Sequence, residues 1–242
     1  MRSGLADFFF SITRFFDPEN CYFCRKPVST DHFWCKECDD EISRVTVPYC
    51  RRCGLPLPGP LENRLCQDCL TDKPIFNQAR ALLIYEKRSR DLVRSVKYQH
   101  QSPLVRQLID PPGRKLINEL AEPDLIIPVP LHLSRLRERG YNQSLLICRN
   151  LFAERKRDID PFILKRSRPT MSQTGMNGRE RRRNLKNAFT VRNRERIRGR
   201  RIILVDDVFT TGTTVNECAR TLYRAGAAQV DVLTLARVVM TP

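Results

Sequence analysis

Eight of the ten cysteines in this 242-residue chain form four Cys-x-x-Cys pairs within its first 69 residues. The pairs are CYFC (21–24), CKEC (35–38), CRRC (50–53) and CQDC (66–69). Two residues between cysteines let one tight turn direct both sulfur atoms at one metal ion, and two such turns complete a tetrahedral thiolate site. The four pairs therefore predict two metal sites, and zinc is the default ion for them.

The spacing leaves the pairing of the four turns open between a consecutive and a crossed arrangement. The consecutive arrangement is simpler and places four ligands on each ion, namely Cys21, Cys24, Cys35 and Cys38 on one and Cys50, Cys53, Cys66 and Cys69 on the other. Four thiolates leave no open coordination position, so both ions are expected to be structural. A segment of about 70 residues with few aliphatic side chains needs such links in order to fold.

The beginning of the chain gives no sign of export. Residues 1–17 have scattered charge and no small-residue cleavage pattern, so a signal peptide is not expected. FFFSITRFF (8–16) is too short to span a bilayer, and a helix docked on the chain's own core is favoured over a membrane-surface helix. We therefore expect a cytoplasmic protein with no integral membrane segment, in which disulfides are disfavoured because thiols stay reduced.

Beyond the cysteines, apolar strands alternate with helical patterns. Predicted strands cover 79–86, 124–130, 202–207 and 229–238, and predicted helical segments cover 90–98, 104–110, 114–121, 141–156 and 213–226. The alternation predicts an α/β domain on a parallel sheet with flanking helices. A boundary at KPIFNQ (73–78) gives two predicted domains, 1–73 and 74–242. Cys148 and Cys218 lie alone in helical patterns and are interpreted as small buried hydrophobic residues.

Positive charge is concentrated in one span. Residues 135–201 contain 21 Lys and Arg against six Asp and Glu, a net charge of +15, whereas the whole chain carries +16. So local an excess favours an anionic partner over a merely solvated face. The candidates are a polyphosphate ligand, nucleic acid and anionic lipid.

The segment RRIILVDDVFTTGTT (200–214) places Asp206 and Asp207 side by side at the end of a predicted strand. Two adjacent carboxylates repel each other, so a ligand is the expected reason for them. In open α/β sheets ligands bind beyond the carboxyl ends of the strands. Paired carboxylates can accept hydrogen bonds from a sugar diol, and the turn TTGTT (210–214) can hold a phosphate at a helix N-terminus. The pattern indicates a ribose 5-phosphate; neither a Walker A loop nor GxGxxG occurs.

The chain resembles the ComF/ComFC/GntX family of competence proteins, which joins an N-terminal double zinc ribbon to a type I phosphoribosyltransferase-like domain. The matching segments are the CxxC series, SVKY (95–98), IPVPLH (127–132), RERGYNQS (137–144), RRRNLKNAF (181–189) and LVDDVFTTGTT (204–214). They occur in the family's order and span most of the chain. The resemblance implies a site for phosphoribosyl pyrophosphate (PRPP) with Mg²⁺, the latter held mainly by ligand oxygens and water.

The resemblance also implies residue roles. Asp206 and Asp207 would hold the ribose hydroxyls. The 5-phosphate would lie on the turn formed by Thr210, Thr211, Gly212, Thr213 and Thr214. The pyrophosphate candidates are Arg135, Arg139, Asn142, Arg179 and Arg183, with His132 and Gln143 as further possibilities and helix capping as the alternative for Asn142. Residues 168–189, which include Gln173, Arg179, Arg183 and Asn184, resemble the loop that closes over this type of site.

Similarity to ComF proteins implies a role in natural transformation, in which the protein handles incoming single-stranded DNA in the cytoplasm. Its partners would be PRPP, single-stranded DNA and other DNA-uptake or recombination proteins. The alternative is a metabolic phosphoribosyltransferase that joins a nucleobase or another acceptor to PRPP. No acceptor site is identifiable, so turnover stays open. A weaker third interpretation is a PRPP-sensing regulator that binds DNA through its zinc ribbons.

Overall fold

The structure is a computed structural model that describes residues 20–29, 32–60, 64–98, 102–168 and 183–239. The helix predicted around residues 8–16 lies outside these ranges. In chain order the strands are β1 (Ala79–Ile84), β2 (Leu125–Pro128), β3 (Leu164–Arg166), β4 (Phe189–Val191), β5 (Arg201–Phe209) and β6 (Gln229–Arg237). The α-helices are α1 (Lys36–Asp40), α2 (Gln67–Thr71), α3 (Lys87–Tyr98), α4 (Pro111–Asn118), α5 (Leu133–Arg139), α6 (Gln143–Leu151) and α7 (Thr213–Arg224), and 3₁₀ turns cover Ser102–Leu108 and Ala153–Asp158.

Four parallel strands form the central sheet, in the order β1, β6, β5, β2. Residues 202–205 of β5 and 230–236 of β6 are buried without interruption. Such continuous burial is typical of parallel strands covered on both faces, and it distinguishes them from the alternating strands of a half-exposed sheet. The predicted α/β fold on a parallel sheet is thus confirmed. None of the helices in the described ranges is long and apolar enough to cross a membrane.

Short elements are where prediction and structure differ. The antiparallel pair β3 and β4 was not predicted, because three residues are too few to show a period of two. The helical segment predicted at 114–121 begins earlier, at Pro111, so the PPG sequence at 111–113 forms the first turn of α4 and separates it from the 3₁₀ turn before it. Asp110 caps that helix by accepting a hydrogen bond from the Gly113 N–H at 2.9 Å. Proline suits this position because the first turn of a helix needs no N–H donor.

The cysteine-rich region covers the edge of the sheet. Arg44 pairs with Leu83 of β1 in an antiparallel bridge, in which the Val45 N–H donates to the Leu82 carbonyl at 3.0 Å. The Ile84 N–H donates in turn to the Ser43 carbonyl at 2.7 Å. An open strand edge is a template for unwanted pairing, and this segment occupies part of that edge. Whether residue 73 marks a boundary between independent domains stays a prediction.

A buried polar network fixes the two regions to each other. Arg80 of β1 is only 6% exposed. It donates to Glu119 at 2.6 Å and to the Arg51 carbonyl at 3.1 Å, and it stacks on the Tyr49 ring at 5.0 Å. The Tyr49 hydroxyl donates to the same Glu119 carboxylate. Because a buried charge is tolerated only when it is paired and hydrogen-bonded, each partner here depends on the others.

Gly54 provides a test of this contact between the regions. Its φ is +70°, and a Cβ at this position would lie 2.7 Å from the Ala79 carbonyl oxygen. We expect Gly54→Ala to lower the free energy of unfolding by about 1–2 kcal/mol, because alanine is unfavourable in the left-handed conformation. The clash of its Cβ with the Ala79 carbonyl oxygen should lower it by a further ~1–3 kcal/mol. Thermal unfolding of the zinc-loaded protein measures the sum.

Gly199→Ala is the matched control, because Gly199 has a φ of +71° and its Cβ would meet nothing within 4 Å. An equal loss of stability in the two variants would show that the close approach of Gly54 to β1 is unimportant.

Candidate functional site

The eight cysteine sulfurs gather into two groups of four. The groups are consecutive, Cys21, Cys24, Cys35 and Cys38 in one and Cys50, Cys53, Cys66 and Cys69 in the other, and the sulfurs of each lie within 4.8 Å of one another. The Sγ–Sγ distance is 3.6 Å both for Cys24 with Cys35 and for Cys53 with Cys66. A tetrahedral zinc ion with Zn–S bonds of about 2.3 Å requires sulfurs roughly 3.8 Å apart. The donor sets therefore fit two structural zinc ions, in the consecutive arrangement.

The second cysteine group is prepared for a metal by its own backbone. Cys50 Sγ accepts hydrogen bonds from the Cys66 N–H at 3.3 Å and the Cys53 N–H at 3.5 Å. The Cys53 thiol and these N–H groups lower the pKa of Cys50 to about 4. The thiolate, which is the form that binds zinc, is thus favoured at neutral pH. All four cysteines of this group are buried, whereas Cys24 of the first group is exposed.

The acidic pair lies inside β5, two residues before the strand ends. Asp206 pairs with Thr234 of β6, and β5 continues as far as Phe209. On its other side β2 ends at Pro128, whose partner is Val205. The carboxylates therefore lie where β5 has lost one neighbouring strand. This opening at the carboxyl end of the sheet is the usual place for a ligand in α/β proteins.

Three donors from two helices surround the carboxylates. Ser144 Oγ lies 3.1 Å from Asp206 Oδ1. Gln143 Nε2 lies 3.2 Å and Lys97 Nζ 3.0 Å from Asp207 Oδ2. Gln143 and Ser144 occupy the first turn of α6, and Asn142 caps that helix by accepting from the Ser144 N–H at 3.0 Å. The cap fixes the direction of the turn that faces the acids.

Asp206 is harder to ionise than a carboxyl group in water. Burial and the neighbouring Asp207 charge raise the pKa of Asp206 to about 7. Hydrogen bonds from the Asp207 N–H and Ser144, together with the Lys97 charge, act in the opposite direction. Asp206 is therefore close to half-protonated at neutral pH, and a cation or further donors at this site would favour its ionised form.

The turn after β5 is shaped by an aromatic ring. Gly212 has a φ of +71°, and a Cβ there would lie 2.6 Å from the Phe209 ring. Only glycine fits both constraints. The turn leads directly into α7, for which Gly212 is the N-cap residue without a capping side chain. Thr211 and Thr213 hydroxyls lie 2.8 Å apart, and together with the first N–H groups of α7 they form a cradle of donors suited to an anion.

Arg237, at the end of β6, connects this turn to the second cysteine group. Its guanidinium stacks on the Phe209 ring at 4.5 Å and donates to the Cys53 carbonyl at 2.6 Å. Arg237 is 6% exposed. The Phe209 ring that closes on Gly212 thus contacts, through one side chain, the turn that carries Cys50 and Cys53.

The predicted pyrophosphate residues are only partly brought together. Asn142 lies beside the acidic pair, and its Nδ2 donates to the Val129 carbonyl at 3.0 Å. Arg135 lies on α5, where its Nη1 is 3.7 Å from Glu138 Oε2. Its positive charge lowers the pKa of Arg166. Arg139 lies at the other end of the same helix. His132 caps α5 by accepting from the Ser134 N–H at 3.2 Å, so its Nδ1 is already engaged.

The remaining loop residues lie farther along the chain. Arg183 is exposed, near the start of the segment that returns to β4. Arg168 joins the two ends of the predicted closing loop, because it donates to the Asn184 and Lys186 carbonyls at 2.9 and 3.0 Å. Arg179 and Gln173 lie outside the described residues.

Sequence reasoning assigned no role to three residues that interact with the acids, two by direct contact and one through its charge. Lys97 occurs in the SVKY segment, where no local pattern indicates contact with the acids. Ser144 has the sequence context of an ordinary residue at the start of a helix. Arg166 is half-buried; burial lowers its pKa, and charge interaction with Cys218 and Asp206 raises it. The lone cysteines Cys148 and Cys218 are fully buried, as predicted.

Comparison with known proteins adds family membership to this geometry. The double zinc ribbon domain family matches residues 12–70, and the phosphoribosyl transferase domain family matches residues 111–239. The DNA utilization protein YhgH of Escherichia coli (strain K12) is 34% identical over 230 residues, which cover 91% of this chain and 97% of that protein. Competence protein F of Haemophilus influenzae is 35% identical over 211 residues, covering 84% and 90%. The chain belongs to the ComF family of competence proteins.

A more distant relative has the same extent. Competence protein ComFC of Bacillus subtilis is 23% identical over 237 residues, which cover 90% of this chain and 94% of that protein. The similarity therefore extends over almost the whole length of both chains. The coverage also shows that the predicted resemblance extends over almost the whole chain.

The raised pKa of Asp206 predicts a pH-dependent effect of Asp206→Asn. In the unfolded chain an aspartate titrates near 4, so between about pH 4 and 7 the folded protein retains a proton that the unfolded chain has released. Wild-type stability at this residue therefore falls as the pH rises through that window. Asparagine does not titrate and does not show this fall. The free energy of unfolding of the variant, relative to that of the wild type, should therefore be ~2 kcal/mol higher at pH 8 than at pH 5.

The measurement is thermal unfolding of both zinc-loaded proteins at the two pH values, reported as the difference between variant and wild type. Asp124→Asn is the control, because the Arg201 N–H lowers the pKa of Asp124 and this carboxylate is ionised at both pH values. A difference for Asp206→Asn that is the same at pH 5 and pH 8 would contradict the raised pKa.

Proposed function

We propose that this ComF-family protein is a competence factor that binds PRPP together with Mg²⁺ and handles incoming single-stranded DNA in the cytoplasm. The observation that carries the proposal is the acidic pair of β5, open on the side where β2 has ended and followed directly by the Gly212 turn. A diol-binding pair and an anion-binding turn on one continuous segment match the two ends of a ribose 5-phosphate.

The ribose hydroxyls would donate to Asp206 and Asp207. In the structure these carboxylates already accept hydrogen bonds from Ser144 and Gln143, so their orientation is set before a ligand arrives. Gln143 Oε1 is buried and accepts no hydrogen bond from any residue that the structure describes. A buried acceptor without a donor is costly, and a sugar hydroxyl at this position would satisfy it.

The 5-phosphate would lie on the turn formed by Thr210, Thr211, Gly212, Thr213 and Thr214. The backbone N–H groups at the start of α7 and the threonine hydroxyls supply donors, and the helix dipole favours the negative charge. The Phe209 ring packs directly against Gly212 and so restricts the conformation of the turn. No cationic side chain is needed in the turn itself.

The pyrophosphate and Mg²⁺ would lie toward α5 and the start of α6. Carboxylate and phosphate oxygens are the ligands that Mg²⁺ prefers, and it keeps several waters, which suits the carboxylates found here. Magnesium would supply charge neutralisation of the pyrophosphate. Arg135, Arg139, Asn142, Arg179 and Arg183 are the proposed protein donors.

Lys97 forms an ion pair with Asp207, in which Nζ lies 3.0 Å from Oδ2. A ribose diol and the Lys97 ammonium would compete for the same oxygen, or share its two lone pairs. If the Lys97 side chain moved from Asp207 to a pyrophosphate oxygen, the Asp207 carboxylate could accept from the ribose diol and the Lys97 ammonium would still be paired with an anion. We propose Lys97 as a ligand-responsive residue of the PRPP site.

The DNA-handling part of the proposal is supported by names and charge. The relatives are named DNA utilization protein and competence protein. The +15 span at 135–201 provides a cationic surface well in excess of what one PRPP molecule needs. Other DNA-uptake or recombination proteins are proposed as partners.

A metabolic phosphoribosyltransferase is the second candidate. The complete acidic pair and turn favour it, because a ligand-binding site of this kind is also the first requirement for transfer of the ribosyl group. It further requires an acceptor. Release of pyrophosphate from PRPP that depends on an added nucleobase would establish this alternative over a purely ligand-binding role.

The test is calorimetric titration of PRPP into the zinc-loaded protein, with and without Mg²⁺. We expect Mg²⁺-dependent binding to the wild type, and at least a tenfold loss of affinity in the double variant Asp206→Asn with Asp207→Asn, because two charge-assisted diol contacts are weakened. Zinc content, measured by metal analysis, should stay at two ions per chain.

The double variant Asp40→Asn with Asp91→Asn is the matched control, since it removes the same charge from two exposed aspartates. It should bind PRPP as the wild type does. Undiminished binding by the Asp206/Asp207 variant would place PRPP elsewhere, and no binding by the folded wild type would refute the PRPP site altogether.

A further inference from the structure

Phe162 is the most exposed large hydrophobic residue among those that the structure describes, with 72% of its surface accessible. The other phenylalanines in the described part of the basic span are buried, Phe152 at 7% and Phe189 at 4% exposure. Tyr141 is half-buried, and its hydroxyl lies 3.3 Å from the Val96 carbonyl. A phenyl ring directed at solvent in the most cationic part of a protein needs a reason, because such rings are normally buried.

The backbone that presents Phe162 is held firmly. Asp160 Oδ1 accepts hydrogen bonds from the Phe162 N–H at 2.9 Å and the Ile163 N–H at 3.2 Å. Asp160 Oδ2 forms an ion pair with Arg196. Asp160 itself is 8% exposed, and Ile163 is 3% exposed. The ring therefore projects from a fixed turn that is anchored on both sides.

Arginines follow at alternate positions directly beside this turn. The Arg192 N–H donates to the Ile163 carbonyl at 2.9 Å, which places Arg192 next to the Phe162 turn. The basic edge, as we call it, comprises Arg192, Arg194, Arg196, Arg198 and Arg200, all of them exposed. Buried Ile197 anchors the segment, and the Arg198 N–H donates to the Arg194 carbonyl at 3.0 Å, so those two residues lie one helical turn apart.

The charge of the basic edge is largely uncompensated. Arg196 pairs with Asp160, whereas within the described ranges the other four arginines form no ion pair. Glu195 is the one acidic residue between 192 and 200. Exposed guanidiniums with no carboxylate partner are available to bind phosphate groups bidentately.

The basic edge lies far from the acidic pair. Arg200 immediately precedes β5, and its carbonyl accepts from the Ala228 N–H at 2.9 Å, next to the start of β6. Asp207 lies seven residues farther along β5, which at about 3.3 Å per residue is roughly 20 Å. The basic edge thus belongs to the end of the sheet where strands begin, and the proposed PRPP site belongs to the end where they finish.

We infer that Phe162 and the basic edge form a binding surface for single-stranded nucleic acid. An unpaired base stacks on the Phe162 ring, and the arginines of the basic edge bind the neighbouring phosphates. Stacking on an aromatic ring accepts any base, and phosphate contacts carry no sequence information, so the surface binds without sequence preference. A duplex hides the faces of its bases and can use only the arginines. The inference rests on the proposed DNA-handling function and names the residues that perform it.

Fluorescence anisotropy with a labelled 30-nucleotide oligothymidine tests the inference, on zinc-loaded full-length protein at several salt concentrations. We expect Phe162→Ala to weaken binding at least fivefold, which is the lower end of measured base-stacking losses. Phe162→Tyr, which keeps the ring, should restore it. Binding of a duplex of the same length should be weaker and unaffected by Phe162→Ala.

The arginines are tested by the double variant Arg192→Gln with Arg194→Gln. Loss of two phosphate contacts should weaken binding and reduce the slope of log affinity against log salt by about 1.4. Arg90→Gln with Arg114→Gln is the matched control, since it removes the same charge from two exposed arginines outside the basic edge. Leu70→Ala is the control for Phe162, because Leu70 is also exposed, at 64%.

The outcomes separate the inference from the function on which it rests. If the wild type binds single strands and Phe162→Ala binds equally well, the surface is wrong and the DNA-handling function stands. If the controls weaken binding as much as the test variants, the contacts are diffuse charge and the inference is likewise wrong. If the folded wild type, with PRPP binding intact, binds no single-stranded DNA, the DNA-handling function fails and the inference fails with it.

Discussion

One guanidinium, that of Arg237, joins the cysteine-rich region to the Gly212 turn. Its charge is buried, which is costly unless neighbouring groups compensate it, and its Nε has no hydrogen-bond partner among the described residues. The Cys53 carbonyl accepts from it at 2.6 Å, and the Phe209 ring covers its face at 4.5 Å. Phe209 in turn closes on Gly212. The position of the Gly212 turn is therefore fixed in part by its contact, through Phe209 and Arg237, with the turn that carries Cys53.

This arrangement explains why a small zinc-binding region accompanies the α/β domain. The first cysteine group contributes Cys21 and Cys38 to the hydrophobic cluster that includes Leu83 and Val205 of the sheet. The second group belongs to the other cluster, with Phe76 and Leu204. Each metal site is thus built into a core of the α/β domain. Two structural zinc ions would supplement the few aliphatic side chains of the first 70 residues.

The acidic pair shows what sequence could establish about the site and what it could not. VDDVFTTGTT predicted the two carboxylates, the turn and their place at the carboxyl end of a strand, because these features are local. The strand extends two residues farther than predicted, since β6 continues to pair with β5 after β2 has stopped. That difference depends on strand order, which no local pattern encodes.

The donors around the acids were harder to predict for the same reason. Lys97 is 110 positions from Asp207 in the chain, and Ser144 is 62 positions from Asp206. The fold brings them together because α3 and α6 both pack against β5. Arg237 was equally invisible, since an arginine at the end of a strand normally faces solvent. The cysteine groups were predictable because a Cys-x-x-Cys turn by itself directs both sulfurs at one ion. The pairing of the four turns depends on the fold and could be read only from the structure.

The antiparallel pair of β3 and β4 lies between the Phe162 turn and the acidic pair. Leu164 pairs with Val191 near Phe162, and Arg166 pairs with Phe189 at the other end, where Arg166 interacts electrostatically with Asp206. The Asn187 N–H donates to Glu217 at 2.9 Å, which ties this strand pair to α7, the helix that begins at the Gly212 turn. The Phe162 turn is two residues away from the strand that carries Arg166, so the proposed DNA surface and the acidic pair are connected by one small element of structure.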